Sequence, residues 1–341
     1  MGTSTMHGVF REGAMRHALL AGLVLVVVAF LAGGAASGAP PKCKVCGKEI
    51  TGDFIEAEGT YYHPEHFVCS KCGKPIEREF IVHEGKLYDQ ACYDKHLALR
   101  CAVCGKVLEG SYSEDYWKNS YHTEHERDTP RCEYCGRFIS ERLTGGGVQY
   151  ADGRWICEIC RRPAVTGINE ANGLMAEVSR HLAKIGLQVD TRPIRLELVG
   201  RDRLRTLSGK GQDDLKGFTH YTEQTDGGSV SRTIDVYILY GMPRADSVFA
   251  LAHELTHVWQ NLNGRTDNDE SLSEGSCNYA AHLVLQDYPS EYSRFLQEGL
   301  LASSDPIYGE GFRRVKRFAE ERGRAEWLAL LKDKNKLPAG Y

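Results

Sequence analysis

Pairs of cysteine or histidine residues separated by two other residues recur through the first half of this chain. Cys43 and Cys46 form the first pair, and His63 and His66 follow after sixteen intervening residues. Two ligand residues at this spacing can hold one metal ion from a tight turn, and two such pairs complete a tetrahedral site. The pattern therefore predicts small modules built around metal ions, and it constrains the fold more than any other feature.

The pattern describes four sites in two repeated units. In the first unit the predicted ligands are Cys43, Cys46, His63, His66, Cys69, Cys72, Asp89 and Cys92. In the second unit they are Cys101, Cys104, His122, His125, Cys132, Cys135, Cys157 and Cys160. Asp89 is the weaker kind of donor, and His96 is an alternative for its place. Thiolate and imidazole donors suit zinc, so about four structural zinc ions are expected.

This order of ligands resembles that of LIM domains, and it predicts one such module at residues 41–98 and a second at 99–163. A module of this size buries too little apolar surface to fold alone, so each structural zinc supplies folding energy on the order of 10–16 kcal/mol. The resemblance implies a protein partner, because LIM modules bind proteins. The formal net charge of -4 gives no electrostatic basis for binding nucleic acid.

An almost uninterrupted apolar segment covers residues 18–36, after Arg11 and Arg16. A basic start, an apolar run and a small-residue end are typical of an export signal, and the length also suits a membrane anchor. Residues 1–40 are therefore predicted to be a signal peptide or a membrane anchor. The expected localisation is exported or membrane-anchored, or cytoplasmic if the segment is an anchor whose N-terminus lies outside.

After Pro163 and Gly167 the sequence changes to longer periodic segments, which predict an α+β domain at 167–341. The predicted strands are 194–199, 218–225 and 233–240. The predicted helices are 172–185, 244–263, 271–287, 289–301, 306–322 and 324–333. Within 244–263, an apolar stripe separate from the histidines is predicted to face the core, and it consists of Leu251, Leu255, Val258 and Leu262.

The helix predicted at 244–263 contains the sequence HELTH, with His253 and His257 one turn apart. Two imidazoles at this spacing lie on one helix face and can bind one zinc ion. Glu274 follows His257 by seventeen residues on the next predicted helix, where the gluzincin class of metallopeptidases holds its third ligand. Asn278, one turn later, is predicted to orient a ligand histidine. These residues predict one catalytic zinc.

Glu254 is the predicted general base. A carboxylate beside the ligand histidine, and not itself a ligand, would take a proton from water and pass it to the leaving nitrogen. The strand at 233–240 is expected to hold an extended substrate by edge pairing. A donor to the transition state is unassigned among His220, Tyr221, Tyr279 and His282. Cys277 is predicted to be a buried small residue and not a nucleophile.

The combined motifs resemble a known family. LIM modules followed by YGMP at 240–243, AHELTHVW at 252–259 and EGSC at 274–277 resemble the plant organ-size-limiting LIM peptidases that ubiquitylation activates. The resemblance implies a protein-cleaving gluzincin with a zincin-type fold, and the apolar N-terminal segment suggests a bacterial-like member. His253, His257 and Glu274 would be the zinc ligands, and Glu254 the catalyst.

Two other functions compete with a zinc metallopeptidase that cleaves protein substrates. One is a non-catalytic LIM adaptor, whose histidine site only stabilises the fold; the other, metal storage, is disfavoured because closed tetrahedral sites release zinc poorly. A further hypothesis is that the LIM modules restrain the peptidase, since only a short linker joins them. In that case a chain beginning near Gly167 would be more active than the whole protein.

Overall fold

The structure, a computed structural model, describes residues 40–209, 215–226, 229–264, 269–333 and 336–341. These residues form two compact units, 40–127 and 128–341. The division falls inside the segment predicted as the second zinc module, between its two sets of ligands. One set therefore belongs to each unit.

The unit at 40–127 consists of two-stranded antiparallel hairpins and short helices. Its elements are β1 (Ile55–Ala57), β2 (Thr60–Tyr62), β3 (Phe80–His83), β4 (Lys86–Asp89), α1 (Gln90–His96), β5 (Ser113–Glu114), β6 (Ser120–Tyr121) and α2 (His125–Asp128), within which the division falls. Phe67 packs edge-on against Tyr62 and Phe80, with ring centroids 5.3 and 5.2 Å apart. So few large side chains make a small core, as expected for modules that rely on metal ions.

The unit at 128–341 begins with another knuckle-and-hairpin segment. It contains α3 (Glu141–Thr144), β7 (Gly147–Gln149), β8 (Trp155–Cys157), α4 (Glu158–Arg161) and β9 (Ala164–Val165). β7 and β8 pair antiparallel, and β9 pairs antiparallel with β13 (Met242–Pro243) much further along the chain. This last pairing joins the segment to the start of the longest helix of the unit.

The rest of this unit is mixed α and β, as predicted. In chain order it contains α5 (Ile168–Lys184), β10 (Ile194–Val199), α6 (Arg201–Ser208), β11 (Gly217–Asp226), β12 (Ser229–Leu239), α7 (Arg244–Asn263), α8 (Glu270–Leu285), α9 (Glu291–Ala302), α10 (Gly309–Arg322) and α11 (Arg324–Asp333). Each predicted strand and helix has a counterpart here within a few residues. α6 was not predicted, because RDRLRTLS holds only two apolar residues.

β12 is the central strand of the three-stranded sheet, whose order is β10-β12-β11. It pairs parallel with β10 and antiparallel with β11, so both its edges are occupied. The prediction that the strand at 233–240 offers an edge to substrate is therefore wrong. Among the strands that the structure describes, the one that contacts α7 and pairs on one side only is β11.

α7 is buried on most of its surface, which is typical of a helix in the interior of a domain. Leu251, Leu255 and Val258 of the predicted stripe are fully buried. Leu262 is 38% exposed, because the last turn of α7 extends past the core, and its assignment to the stripe is wrong.

α8 and α10 cross with their backbones in contact at two glycines. A Cβ atom added to Gly275 would lie 2.4 Å from the carbonyl carbon of Gly311, and one added to Gly311 would lie 2.6 Å from the carbonyl oxygen of Ser271. Only glycine permits this approach. The glycine in the EGSC sequence therefore brings α10, and the residues just before it, close to the start of α8.

The predicted localisation is not supported. In the part of the chain that the structure describes, no helix is both long enough and apolar enough to span a bilayer. The apolar segment 18–36, on which the prediction depended, lies outside the described residues. On this finding the prediction of an exported or membrane-anchored chain is wrong.

Candidate functional site

Four groups of cysteine, histidine and aspartate side chains come together as the sequence spacing suggests. In each group the ligand atoms all lie within 4.8 Å of one another. The groups are Cys43, Cys46, His63 and His66; Cys69, Cys72, Asp89 and Cys92; Cys101, Cys104, His122 and His125; and Cys132, Cys135, Cys157 and Cys160.

The separations within these groups match tetrahedral zinc. Bonds of about 2.3 Å to sulfur and about 2.05 Å to nitrogen put two ligands about 3.6 Å apart for sulfur and nitrogen, and about 3.8 Å apart for two sulfurs. Cys43 Sγ lies 3.4 Å from His66 Nδ1. Cys135 Sγ lies 3.7 Å from Cys157 Sγ. These groups therefore fit structural zinc.

Asp89 is the aspartate of the second group, and it also caps a helix. Its Oδ1 accepts a hydrogen bond of 2.8 Å from the backbone N–H of Cys92 at the start of α1, and its Oδ2 lies 3.4 Å from Cys72 Sγ. A hydrogen bond from the Cys69 thiol is the largest cause that holds the pKa of Asp89 well below its usual range. His96, the alternative ligand, is the last residue of α1 and is not part of this group.

A further group joins α7 to α8. His253 Nε2 and His257 Nε2 lie 3.1 and 3.3 Å from Glu274 Oε2. Two oxygen or nitrogen ligands of a tetrahedral zinc are separated by about 3.3 Å. Burial raises the pKa of Glu274, but the neighbouring imidazoles outweigh burial and hold this pKa well below its usual range. An ionised carboxylate and two imidazole nitrogens thus face one point.

The other ring nitrogens of the two histidines have partners within the protein. Asn278 Oδ1 lies 2.9 Å from His253 Nδ1, and Gln260 Oε1 lies 3.2 Å from His257 Nδ1. An amide oxygen can only accept a hydrogen bond, so it favours the tautomer with the proton on Nδ1. Each Nε2 is then the ring nitrogen that faces Glu274 and would bind a metal ion.

Glu254 lies beside this group and points into the same cleft. Its side chain is 5% exposed, and its Oε2 accepts a hydrogen bond of 2.7 Å from the hydroxyl of Thr219 on β11. Sequence reasoning identified Glu254 from its place beside His253. It missed Thr219, because nothing in the sequence shows which strand lies against α7.

The cleft has a volume of about 230 Å³. It is lined by Leu215, Lys216, Gly217, Phe218, Thr219, Phe249, Ala250, His253, Glu254, His257, Asn261, Glu274, Asn278 and Tyr308. One wall is the start of β11, the floor is α7, and the opposite wall is formed by α8 and Tyr308. The reactive groups therefore face a space that is open to a ligand.

None of the four side chains suggested as transition-state donors is among these lining residues. Tyr279 packs in the core against Trp327, and buried His282 packs against Phe312. His220 and Tyr221, on β11, have partners elsewhere: His220 contacts Asp235, and Tyr221 donates a hydrogen bond to Glu223.

Tyr308, immediately before α10, is the tyrosine that lines the cleft, and sequence reasoning missed it. Its ring stacks on that of His253 with centroids 6.4 Å apart. Burial raises its pKa, so its phenol stays protonated and can donate a hydrogen bond. The close packing at Gly275 and Gly311 brings this region to α8, and no pattern in the sequence indicates that contact.

Cys277 is fully buried on α8, with its Sγ 3.4 Å from His257 Nδ1. Burial raises the pKa of its thiol to about 11, so it is protonated at neutral pH. A protonated and enclosed thiol is a poor nucleophile. Its position beside the ring of His257 makes it a packing neighbour of that histidine.

Two protein families match parts of the chain. Residues 43–97 match the LIM domain family, and residues 211–294 match the DA1-like family, described as Protein DA1. The second match covers β11, β12, α7 and α8, and it extends into α9. It therefore includes His253, Glu254, His257 and Glu274.

Several plant proteins are similar over most of this chain. "Protein DA1-related 7" of Arabidopsis thaliana is 28% identical, covering 82% of this chain and 61% of its own length. "Protein DA1" of the same plant is 24% identical (80% and 63%), and "LIM domain-containing protein HDR3" of Oryza sativa subsp. japonica is 26% identical (72% and 56%). The chain thus spans less than two thirds of the length of these relatives. These plant relatives do not test whether the chain is a bacterial-like member, which stays a prediction. Together the matches show that this chain contains a segment similar to LIM domains, followed by a segment similar to the DA1-like family.

Proposed function

We propose that this chain is a zinc-dependent metallopeptidase that cleaves protein substrates in the cleft between β11, α7 and α8. One observation carries the proposal: His253, His257 and Glu274 converge at zinc-ligand separations while the carboxylate of Glu254 faces the same cleft. A purely structural zinc site would favour a fourth protein ligand and would have no use for this carboxylate.

The donor set suits a catalytic zinc ion. Two imidazoles and one carboxylate are the ligands of a known class of zinc peptidases, and an ion held by them would polarise a peptide carbonyl and acidify water. Glu254 is not one of the three, so its carboxylate is available as a base. It would accept the proton of the attacking water and deliver it to the leaving nitrogen.

Two other features of the cleft suit a peptide substrate. β11 has a free edge beside the cleft, and an extended peptide could pair with it through backbone hydrogen bonds. Tyr308 lines the cleft, and a hydrogen bond from its phenol would stabilise the negative charge that develops on the carbonyl oxygen. We therefore propose Tyr308 as the donor that the sequence left unassigned.

The zinc modules before the proposed catalytic region would recruit the protein substrate or regulate its cleavage. LIM domains generally mediate protein–protein interactions, and their closed zinc sites leave no open position for substrate chemistry. We assign the substrate or a regulatory protein as their partner. The zinc modules and the cleft then have separate tasks, binding and cleavage.

The decisive experiment compares the whole protein with its Glu254→Gln variant for zinc content and hydrolysis of an unfolded protein such as casein. Both proteins should hold about five zinc ions, one for each group described above. The variant should lose about 10²- to 10⁴-fold in kcat, because general base catalysis contributes that much. Glu298→Gln, at an exposed position of α9, is the matched control and should retain full activity.

Two results would contradict the proposal. A zinc content near four would mean that His253, His257 and Glu274 do not form a metal centre. Equal hydrolysis by the Glu254→Gln variant and the wild type would exclude Glu254 as the base. An unchanged ability of the inactive variant to bind its partner and support its cellular role would instead favour the LIM adaptor.

A further inference from the structure

We propose that the beginning of β11 is a cradle that holds the catalytic carboxylate in its working position, with Thr219 and Gly217 as its positioning residues. The inference rests on the proposed role of Glu254 as general base. It assigns a task to two residues on a strand that carries no recognised catalytic motif.

Thr219 makes the hydrogen bond that fixes the carboxylate. Its hydroxyl lies 2.7 Å from Glu254 Oε2 and 3.1 Å from the backbone oxygen of the same residue. A hydroxyl has one proton, and the charged oxygen at the shorter distance is the stronger acceptor. Within the described part of the chain, no other side chain donates a hydrogen bond to this carboxylate.

Gly217 supplies the space into which the other carboxylate oxygen fits. A Cβ atom at this position would lie 2.6 Å from Glu254 Oε1 and 2.8 Å from its Cγ. Residues two apart on a strand face the same side, so Gly217 and Thr219 contact the carboxylate together. Thr219 donates a hydrogen bond to one carboxylate oxygen, and Gly217 leaves space for the other.

The strand itself is fixed to α7 at the same end. Lys216 Nζ lies 2.6 Å from Oδ1 of Asp246, which is fully buried in the first turn of α7. Asp246 Oδ2 accepts a second hydrogen bond, 2.6 Å long, from the hydroxyl of Tyr292. Gly217 is also paired with Ile238 of the central strand. The cradle is therefore anchored to both the helix and the sheet.

A general base works only when its oxygen is within about 2.6–3.2 Å of the proton that it removes. Glutamate has three rotatable side-chain bonds, so an unheld carboxylate spends much of its time in unproductive orientations. The cradle removes this freedom in advance, which is a contribution to kcat and not to substrate affinity. The same strand offers its free edge to substrate, so base and substrate would share one support.

The test compares Thr219→Val, which removes the hydroxyl at nearly constant volume, with Thr219→Ser, which keeps it. With the zinc-loaded whole protein and a peptide that it cleaves, Thr219→Val should lower kcat about 10- to 100-fold and leave KM and zinc content nearly unchanged. Thr219→Ser should stay within about 3-fold of wild type, since serine retains the donor. Thr206→Val, at an exposed position of α6 that does not line the cleft, is the control and should be fully active.

Crystal structures of the same zinc-loaded variants give a readout that does not depend on activity. The carboxylate of Glu254 should rotate away in Thr219→Val, return in Thr219→Ser and be displaced in Gly217→Ala. An unmoved carboxylate together with equal kcat values for the valine and serine variants would overturn the inference. If Glu254→Gln hydrolyses as fast as wild type, the proposed function fails, and the crystal structures alone then decide whether the cradle exists.

Discussion

At the scale of single residues, the side chains of His253 and Glu254 are each held by a neighbour from another element. Asn278 of α8 holds His253 of α7, and its Nδ2 donates a hydrogen bond of 3.0 Å to the backbone oxygen of Tyr308. One amide therefore fixes a proposed ligand histidine and the segment that carries the proposed donor. Such outer partners tune metal affinity without touching the metal.

Replacing Asn278 by alanine should weaken zinc binding at the catalytic site about 10- to 100-fold, the usual effect of losing a partner of a ligand histidine. Competition with a chelator measures the zinc affinity directly, and only one of about five bound zinc ions should be held more weakly. Asn263→Ala, at an exposed position near the end of α7, is the matched control and should leave every affinity unchanged. Equal zinc affinities in the two variants would refute this role of Asn278.

The lowered pKa of His282 predicts that the free energy of unfolding depends on pH. Burial lowers the pKa of this side chain to about 4, and the charge of Lys316 adds to the effect. The unfolded chain binds a proton near pH 6.5 and the folded chain does not, so stability is full above pH 6.5 and falls as the pH drops toward 4. Between pH 7 and 5.5, wild type should lose about 1 kcal/mol more unfolding free energy than His282→Gln. Urea unfolding of both proteins at the two pH values measures the difference, and parallel losses would contradict it.

Most of the proposed ligand residues could be grouped from the sequence because their spacing is local, either two residues apart in a turn or four apart on a helix; Glu274 came instead from its place in the gluzincin pattern. It did not identify Thr219 or Tyr308, which reach the cleft only through the packing of β11 and α10 on α7 and α8. No local pattern encodes such contacts. The four donor candidates were histidine and tyrosine residues of the strand predicted at 218–225 and the helix predicted at 271–287, and none of them lines the cleft.

At the scale of elements, the boundaries of helices and strands were predictable, but their order in the sheet was not. Alternation of apolar residues predicted β10, β11 and β12, yet β12 lies between the other two. Alternation shows which face of a strand is buried but not which strand is its neighbour. The position of the free edge, on which the proposed substrate site depends, therefore came only from the structure.

Gly275→Ala tests the crossing of α8 and α10. The added methyl group would collide with the backbone of Gly311, and backbone can yield only by moving a helix, so we expect a loss of about 1–3 kcal/mol in unfolding free energy. Gly299→Ala on α9 is the matched control, because a Cβ atom there meets nothing within 4 Å. That variant should gain about 0.5–1 kcal/mol, as alanine favours a helix. Similar shifts of denaturant midpoint in the two variants would contradict the close crossing.

At the scale of the whole molecule, the fourth zinc group belongs to the same compact unit as the cleft. Arg154, which is 1% exposed, joins the fourth zinc group to the cleft region. It donates one hydrogen bond to the hydroxyl of Tyr134, which lies between Cys132 and Cys135. It donates another, 2.9 Å long, to the backbone oxygen of Tyr240. The segment that leads into α7 is thus supported by a zinc knuckle. Ligand spacing alone grouped this knuckle with the LIM repeat, because spacing carries no information on what a module packs against.

Truncation at two points tests whether the fourth zinc group stabilises the segment that leads into α7. A chain beginning at Gly167 lacks β9 and Arg154, so it loses the pairing with β13 and the hydrogen bonds of 3.0 and 2.9 Å from the backbone N–H groups of Gly241 and Arg244. A chain beginning at Asp128 keeps all of them. We expect the longer chain to unfold cooperatively and to hold two zinc ions, one in the fourth group and one in the cleft.

The shorter chain should unfold at lower temperature or fail to fold, because its missing backbone partners leave the start of α7 unsupported. Calorimetry and zinc content compare the two chains directly, and equal midpoints of thermal unfolding would show that the knuckle is dispensable. The hypothesis that the LIM modules restrain the peptidase is then tested by the cut at Asp128. A cut at Gly167 would remove part of the compact unit that contains the cleft, and a loss of activity in that chain would say nothing about restraint.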